Sequence, residues 1–357
     1  TIASRITKRA RTKIRGIMEH SQADIDYLLS PAAIRERAQK IFELTLKDLT
    51  HFEYHEDKFP QVVGYVLETI KQNYPDLNIP FHSRWGHFKA GGIDRVKSFE
   101  EKIKNLDPLE KARSKIDLVI TSVLLDAGAG PDWSFLENDI RYNRSEGLGV
   151  ASFHMFCDGH FSSDKDNPLQ ANAKKLENLS ELQLEKAFQV SETNPLVGVT
   201  GRVELLQNLG ITLKQKPDMF IDARPGNLLD YLIEKQKGNY IEATDILKAV
   251  LVGFGNIWPG RIKLGETNLG DVWSHNLLGS GIKALVPFHK LSQWLTYSLI
   301  EPIMETGIDV IGVEKLTGLA EYRNGGLFID KEVITLKDEV NYKKVHKPDS
   351  QIIIEWR

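Results

Sequence analysis

Residues 107–128 read DPLEKARSKIDLVITSVLLDAG, and this stretch decides the fold class. Ile116, Val119, Ile120, Val123 and Leu124 recur at the three- and four-residue spacing of one helix face. It is the longest regular segment of a chain whose pattern is mostly helical. SPAAIRERAQKIFELTLKDL (30–49) opens with Ser30 as a cap and Pro31 at the first helical position, then runs Ile34, Ala38, Ile41, Phe42. FPQVVGYVLETIKQNYP (59–75) carries Val62, Val63, Val66, Leu67 and Ile70 on one face. Further helices are expected at SELQLEKAF, TGRVELLQNLG, NLLDYLIEK, ATDILKAVLVGFG and PFHKLSQWLTYSLIEPI. Strand signals are few: GGLFIDKEVITL reads as a hairpin turning near Asp330–Lys331, and QIIIEW as one more short strand. The expected architecture is therefore mainly α, with a small β element at 326–337 and 351–356 and no parallel sheet. Residues 1–29 read as a basic tail or edge helix. Residues 30–357 read as a single helical catalytic unit, either one body or two lobes with a ligand cleft between them.

The 357 residues are 41% hydrophobic and 27% charged, a globular rather than a disordered composition. A net charge of -3 gives no bias towards nucleic acid or acidic membranes, although TIASRITKRARTKIRG at the start is basic throughout. Apolar runs such as IDLVITSVLL fall far short of the ~20 residues a membrane span needs. A lone cysteine, Cys157, excludes an intrachain disulfide and fits a reducing, cytoplasmic setting. No cofactor is expected. The expected partner is a small nucleotide-derived molecule, with neither membrane nor nucleic acid involved and the oligomeric state left open.

Long polar and aromatic loops separate the helices: IPFHSRWGHFKAGGIDR, DAGAGPDWSFLENDIRYNRSEG and GNIWPGRIKLGETNLGDVWSH. Loops of this length inside a domain are commonly functional. Asp126 follows the longest helix before glycines 128 and 130, which suits general acid or base work, or capping of nearby amides. LTGLAEYRNGGLF (316–328) reads as a helix with Val313, Leu316 and Ala320 in its stripe, ending at Glu321, Tyr322 and Arg323 before an Asn324–Gly325 stop. VPFHKLSQWLTY places Pro287 at a helix start and Lys290 in its first turn, a candidate phosphate site; His289 and Gln293 share a face at i,i+4 and suit a polar ligand. Arg84, Arg144, Arg224 and Arg261 sit beside turns, suited to phosphate or to pinning loops. His82, His87, His275 and His289 lack a metal-site spacing, and neither a P-loop nor a dinucleotide fingerprint occurs.

The stretches IPFHSRWGHFKAGGIDR, SVLLDAGAGPDW, RSEGLGVASF, FQVSETNPLVGVTGR, IWPGR, NLGDVW, VPFHKLSQWLTYSLIEP, LTGLAEYRNGGLFID and IIIEWR together resemble the uracil-catabolism protein four family, from about Ser30 to Arg357. Gly86 departs from the bulky basic residue of that family. Family members continue past the EWR, so the expectation is of a chain cut or disordered beyond Arg357. More remotely, LSELQLEKAF, NPLVGVTGRVELLQNLG and LTGLAEYR are similar in order to the queuosine-nucleotide N-glycosylase (queuosine salvage) family. Those proteins are helical and related to helix-hairpin-helix DNA glycosylases. Their Asp-Tyr-Arg corresponds to Glu321-Tyr322-Arg323, with a longer carboxylate reach here.

The resemblance implies a function in the URC route, which opens the uracil ring and leaves urea joined to ribose phosphate. It implies an N-glycoside hydrolase that breaks the N–C1′ bond of a ribosylurea phosphate. Such a step wants a carboxylate beside an oxocarbenium-like carbon, a grip on the leaving urea and a cationic phosphate pocket. Glu321 and Asp126 are the expected catalytic pair, facing one pocket. Tyr322, Arg323, Trp133, Trp85, His289 and Gln293 would bind substrate, with Lys290, Arg84, Arg144, Arg224 and Arg261 for the phosphate. A non-catalytic nucleotide-binding regulator and a metal-dependent amidohydrolase of the same route are the alternatives.

Overall fold

The computed structural model describes residues 20–236, 238–258 and 262–357. The basic segment at the start and Arg261 lie outside the described residues. Fifteen α-helices carry the described chain, while none of its ten strands exceeds four residues, so the fold is mainly α. The chain divides into two compact units. One comprises Thr1–Ile79, Gly260–Lys290 and Thr317–Arg357; the other comprises Pro80–Pro259 and Leu291–Leu316.

The second unit is built on the helix Pro108–Leu124. Asp107 caps its first turn by accepting from the Glu110 N–H, and Pro108 takes the position where a missing N–H costs nothing. Every residue from Ser114 to Leu124 is buried. It packs on Arg144–Cys157, Val199–Gln215 and Leu228–Lys235. The expected helices over SELQLEKAF and ATDILKAVLVGFG are Glu181–Ala187 and Ala243–Phe254. A hairpin pairs Ser134–Glu137 with Ile140–Asn143. A three-residue parallel pair joins Tyr240–Glu242 to Asp309–Ile311, which corrects the expectation of no parallel pairing. Two strands make no wound core, so the helical reading stands.

The first unit holds the helices Gln22–Leu28, Pro31–Leu46, Phe59–Asn73, Tyr322–Asp330 and Gln351–Trp356. Ser30 and Pro31 start the second of these as the sequence suggests. Ile41, Val286, Phe288 and Ile354 form a buried cluster within this unit. Three expectations fail here. The hairpin over 325–336 is instead a helix to Asp330 followed by the strand Ile334–Leu336, which pairs antiparallel with distant Phe52–Tyr54. QIIIEW is a helix whose buried Ile352 and Ile354 alternate, imitating a strand in the sequence. Finally, Asn324–Gly325 does not end a helix. Gly325 lies inside Tyr322–Asp330, where a Cβ would collide with the Trp356 indole, so the glycine serves close approach rather than a left-handed stop.

Candidate functional site

In the second unit the long helix stops at Leu124, and Asp126 enters the glycine loop immediately after it. Arg84, fully buried, donates from Nη1 to Asp126 Oδ1 at 3.0 Å and from Nε to the Ser122 hydroxyl at 2.7 Å. Ser145 donates to the other oxygen, Asp126 Oδ2, at 3.1 Å. Arg202 ties down the loop itself, donating to the carbonyls of Leu125 at 3.2 Å and Ala127 at 2.8 Å, and to Val197. Asp126 is thus ion-paired, not isolated against apolar side chains. His87 and Trp294 stand beside the pair, with ring centroids 5.6 Å apart and the Arg84 guanidinium 5.6 Å from the indole. Burial, helped by Arg84, pushes the His87 imidazole down to about 4, so it is neutral near pH 7. Gly149 makes room: a Cβ there would lie 2.8 Å from His87 Cβ.

In the first unit Glu321 is the residue before the helix Tyr322–Asp330, not the end of a preceding one. This reverses the electrostatics expected from the sequence, because a carboxylate at a helix N-terminus is favoured by the dipole. Lys290 Nζ lies 2.5 Å from Glu321 Oε2, each side chain 30% exposed. Burial acts to raise the Glu321 carboxyl, but Lys290 outweighs it and holds the group below the ordinary glutamate range. Tyr322 sits between two cations, its ring 5.9 Å from Lys290 Nζ and 5.7 Å from the Arg357 guanidinium, and packs on Trp356 at 5.3 Å.

Behind this cluster is a carboxylate that sequence reading passed over. Asp271 receives Arg357 in a fork, at 3.0 and 2.7 Å, together with the Trp273 indole N–H at 2.8 Å and the Lys290 backbone N–H at 3.2 Å. Burial opposes its charge, but these donors hold the carboxyl at about 2. The anion that a lysine at a helix start calls for is thus supplied internally, by Asp271 and Glu321. Both Asp271 and Arg357 lie in stretches that carry the family resemblance, NLGDVW and IIIEWR, and that was the signal available.

The remaining expected residues are placed as follows. Trp133 is 1% exposed and stacks on Phe188 with its N–H on the Phe188 carbonyl; Trp85 is likewise buried, bonded to the Ser298 carbonyl. Both indoles are core residues rather than open stacking platforms. His289 has φ 48 and precedes the helix Lys290–Met304, so its expected i,i+4 face with Gln293 does not exist; it contacts the Leu28 carbonyl at 2.8 Å. Gln293 is fully buried. Pro287 belongs to a strand, Leu285–Pro287, paired with Val272–Ser274. Arg224 is committed to Asp117 at 2.5 Å and Glu110 at 2.6 Å, pinning the turn Pro225–Asn227 to the long helix. Arg144 and Arg323 are exposed. Burial pushes the Cys157 thiol up to about 12, which leaves it unsuited to nucleophilic work near pH 7. Among the described residues no three His, Cys, Asp or Glu side chains converge in a metal-holding group, and no helix is long and apolar enough to cross a membrane.

Comparison with known proteins gives two relatives. The chain is 39% identical over 340 residues to "Protein urg3" of Schizosaccharomyces pombe, covering 92% of this chain and 82% of that protein. It is 36% identical over 372 residues to "Uracil catabolism protein 4" of Lachancea kluyveri, covering 93% of this chain and 85% of that protein. Residues 27–357 match the family described as "Protein of unknown function (DUF1688)". The match over residues 27–357 places the chain in this DUF1688 family.

Proposed function

We propose that the chain acts in uracil catabolism as an N-glycoside hydrolase, cleaving the N–C1′ bond of a ribosylurea phosphate to release urea and ribose phosphate. The pathway rests on the relative named for uracil catabolism. The reaction rests on one observation above all: Glu321 is a carboxylate held ionised by Lys290, at the position of the glycosylase-like Glu-Tyr-Arg triplet. A carboxyl whose pKa is depressed cannot serve as a general acid at neutral pH. It suits the opposite task, stabilising positive charge at C1′ and orienting the attacking water.

In the step, water oxygen bonds to C1′ as the C1′–N bond breaks; the water gives up one proton past Glu321 to solvent, and the leaving nitrogen takes one proton from solvent to depart as urea, so protons balance. Asp126, whose two oxygens accept from Arg84 and Ser145, belongs to the second unit and is given no part in this step. Lys290 keeps two further N–H donors beside Glu321 and is assigned to the phosphate; Arg84 and Arg224 are committed to carboxylates of their own unit and are not assigned to it. The test is to incubate the purified chain with synthetic ribosylurea phosphate and measure free urea. Release above the spontaneous rate, abolished by heat, is expected. Tight binding with no urea formed would sink the hydrolase and leave a binding protein.

A further inference from the structure

The first unit contains a cavity of about 380 Å³ that the proposed chemistry does not use. Ile41, Phe52, Phe288, Phe328, Ile354 and Arg357 line it. Phe42 and Phe59, 39% and 42% exposed, stand at its sides and make edge-on contacts with Tyr54 and Phe328. Protein interiors tolerate few voids larger than a water molecule, whereas a concave apolar hollow of this size with a few polar groups is how small-molecule sites are built.

Most of its polar groups are satisfied, and two buried donors are not, Trp356 Nε1 and Arg357 Nε. Glu355 lines the cavity, but Oε1 meets His275 Nε2 at 3.0 Å and Oε2 meets the His51 backbone N–H at 2.8 Å and Nδ1 at 2.7 Å. The Arg357 side chain is 5% exposed, lies 4.1 Å over the Phe288 ring, and spends both terminal nitrogens on Asp271. Its Nε is buried and has no partner. A buried donor left unsatisfied is costly, and an acceptor on a bound molecule would remove that cost.

We infer that this cavity binds a neutral, planar organic molecule whose carbonyl oxygen accepts from Arg357 Nε while its ring lies among the phenylalanines. Neutrality follows because Arg357 is already paired with Asp271 and both Glu355 oxygens are already hydrogen-bonded, so neither is open to a charged ligand. At the ~30 Å³ that a water molecule occupies in the liquid, the volume suits on the order of a dozen non-hydrogen atoms. The cavity borders the Tyr322 cluster through Trp356 and Arg357, but neither Glu321 nor Lys290 lines it.

The probe is 7-amino-4-methylcoumarin, a flat neutral lactone of that size, titrated into the full chain and followed by fluorescence anisotropy. Saturable binding at one equivalent is expected. Ala38→Trp, at an exposed helix position that faces the cavity, should weaken it at least tenfold by filling the space. Phe42→Ala, at an exposed position and so tolerant of change, should weaken it about threefold to tenfold. Arg357→Lys removes the Nε donor and should weaken it about tenfold. The inference is overturned if anisotropy does not saturate below millimolar probe, or if both Ala38→Trp and Phe42→Ala bind as the unaltered chain does. Urea release from ribosylurea phosphate is read separately, so either result stands without the other.

Discussion

In the second unit the helix Pro108–Leu124 is buried without a break from Ser114 to Leu124, and the Arg84 beside it is fully buried against a carboxylate only 14% exposed. In the first unit the helix Phe59–Asn73 buries Val62 while Tyr65 and Leu67 stand 53% and 50% exposed, and the Lys290–Glu321 pair is 30% exposed on each side. The two helices have similar apolar periods, and Asp126 and Glu321 look alike in the sequence, each a carboxylate before glycines. Their settings differ. A guanidinium with no exposure depends on its partner to remain folded, since an unpaired buried charge is heavily penalised. A partly exposed Lys–Glu pair contributes little stability and can be opened by an incoming substrate at small cost. The Lys290–Glu321 pair is therefore charge open to the proposed chemistry, whereas the Arg84–Asp126 pair holds structure.

The sharpest way to break this contrast is Glu321→Gln. General acid–base and charge-stabilising groups are typically worth ~10²–10⁴-fold, so urea release should fall by about that factor. The denaturation midpoint should barely move, because the lost pair is partly solvated. A variant that turns over normally would remove Glu321 from the chemistry. Arg84→Met is the counterpart in the second unit. It leaves Asp126 without its guanidinium and should cost about 3–5 kcal/mol by urea denaturation. Asp126→Asn should likewise lower stability, since it strands the buried Arg84. Equal stability losses for Glu321→Gln and Arg84→Met would erase the distinction between the units.

What the sequence made legible follows the range of the interaction. Helices came through because their period is local: the runs at 107–128 and 30–49 form where expected. The β assignments near the C-terminus failed because pairing is not local. Ile334–Leu336 finds its partner at Phe52–Tyr54, and nothing in GGLFIDKEVITL points there. Likewise the Asp271–Arg357 fork joins residues 86 apart, and the direction of the dipole at Glu321 depended on which side of it the helix lay. Residue types near a site could be read; the partners that set their charge could not.

Acid denaturation tests the Asp271–Arg357 pair of the first unit. Asp271 is held at about 2 in the fold, against 3.8 for an ordinary aspartate in the unfolded chain. Its depressed value means its contribution is complete above about pH 4 and is lost as pH falls towards about 2. A tenfold change in proton affinity corresponds to ~1.4 kcal/mol, so that contribution is about 2 kcal/mol. Asp271→Asn should therefore be less stable than the unaltered chain at pH 6, with the gap closing as the pH approaches 2. A gap that stays constant with pH would mean the carboxylate is not what Arg357 depends on.

The smallest effect discriminates best on the apolar side. Leu67→Ala, on the exposed face of Phe59–Asn73, removes side-chain atoms that are half in water already. It also substitutes a residue of equal or better helix propensity. Surface changes of this kind stay within about 0.5 kcal/mol. Leu118→Ala, at a position with no exposure, removes a comparable side chain from the second unit and should cost about 2–5 kcal/mol through lost transfer energy and the cavity left behind. Denaturant unfolding of the two variants in parallel reads the difference directly. If Leu67→Ala cost as much as Leu118→Ala, the apolar stripe of Phe59–Asn73 would have to be covered in solution. The first unit would then be as closed as the second.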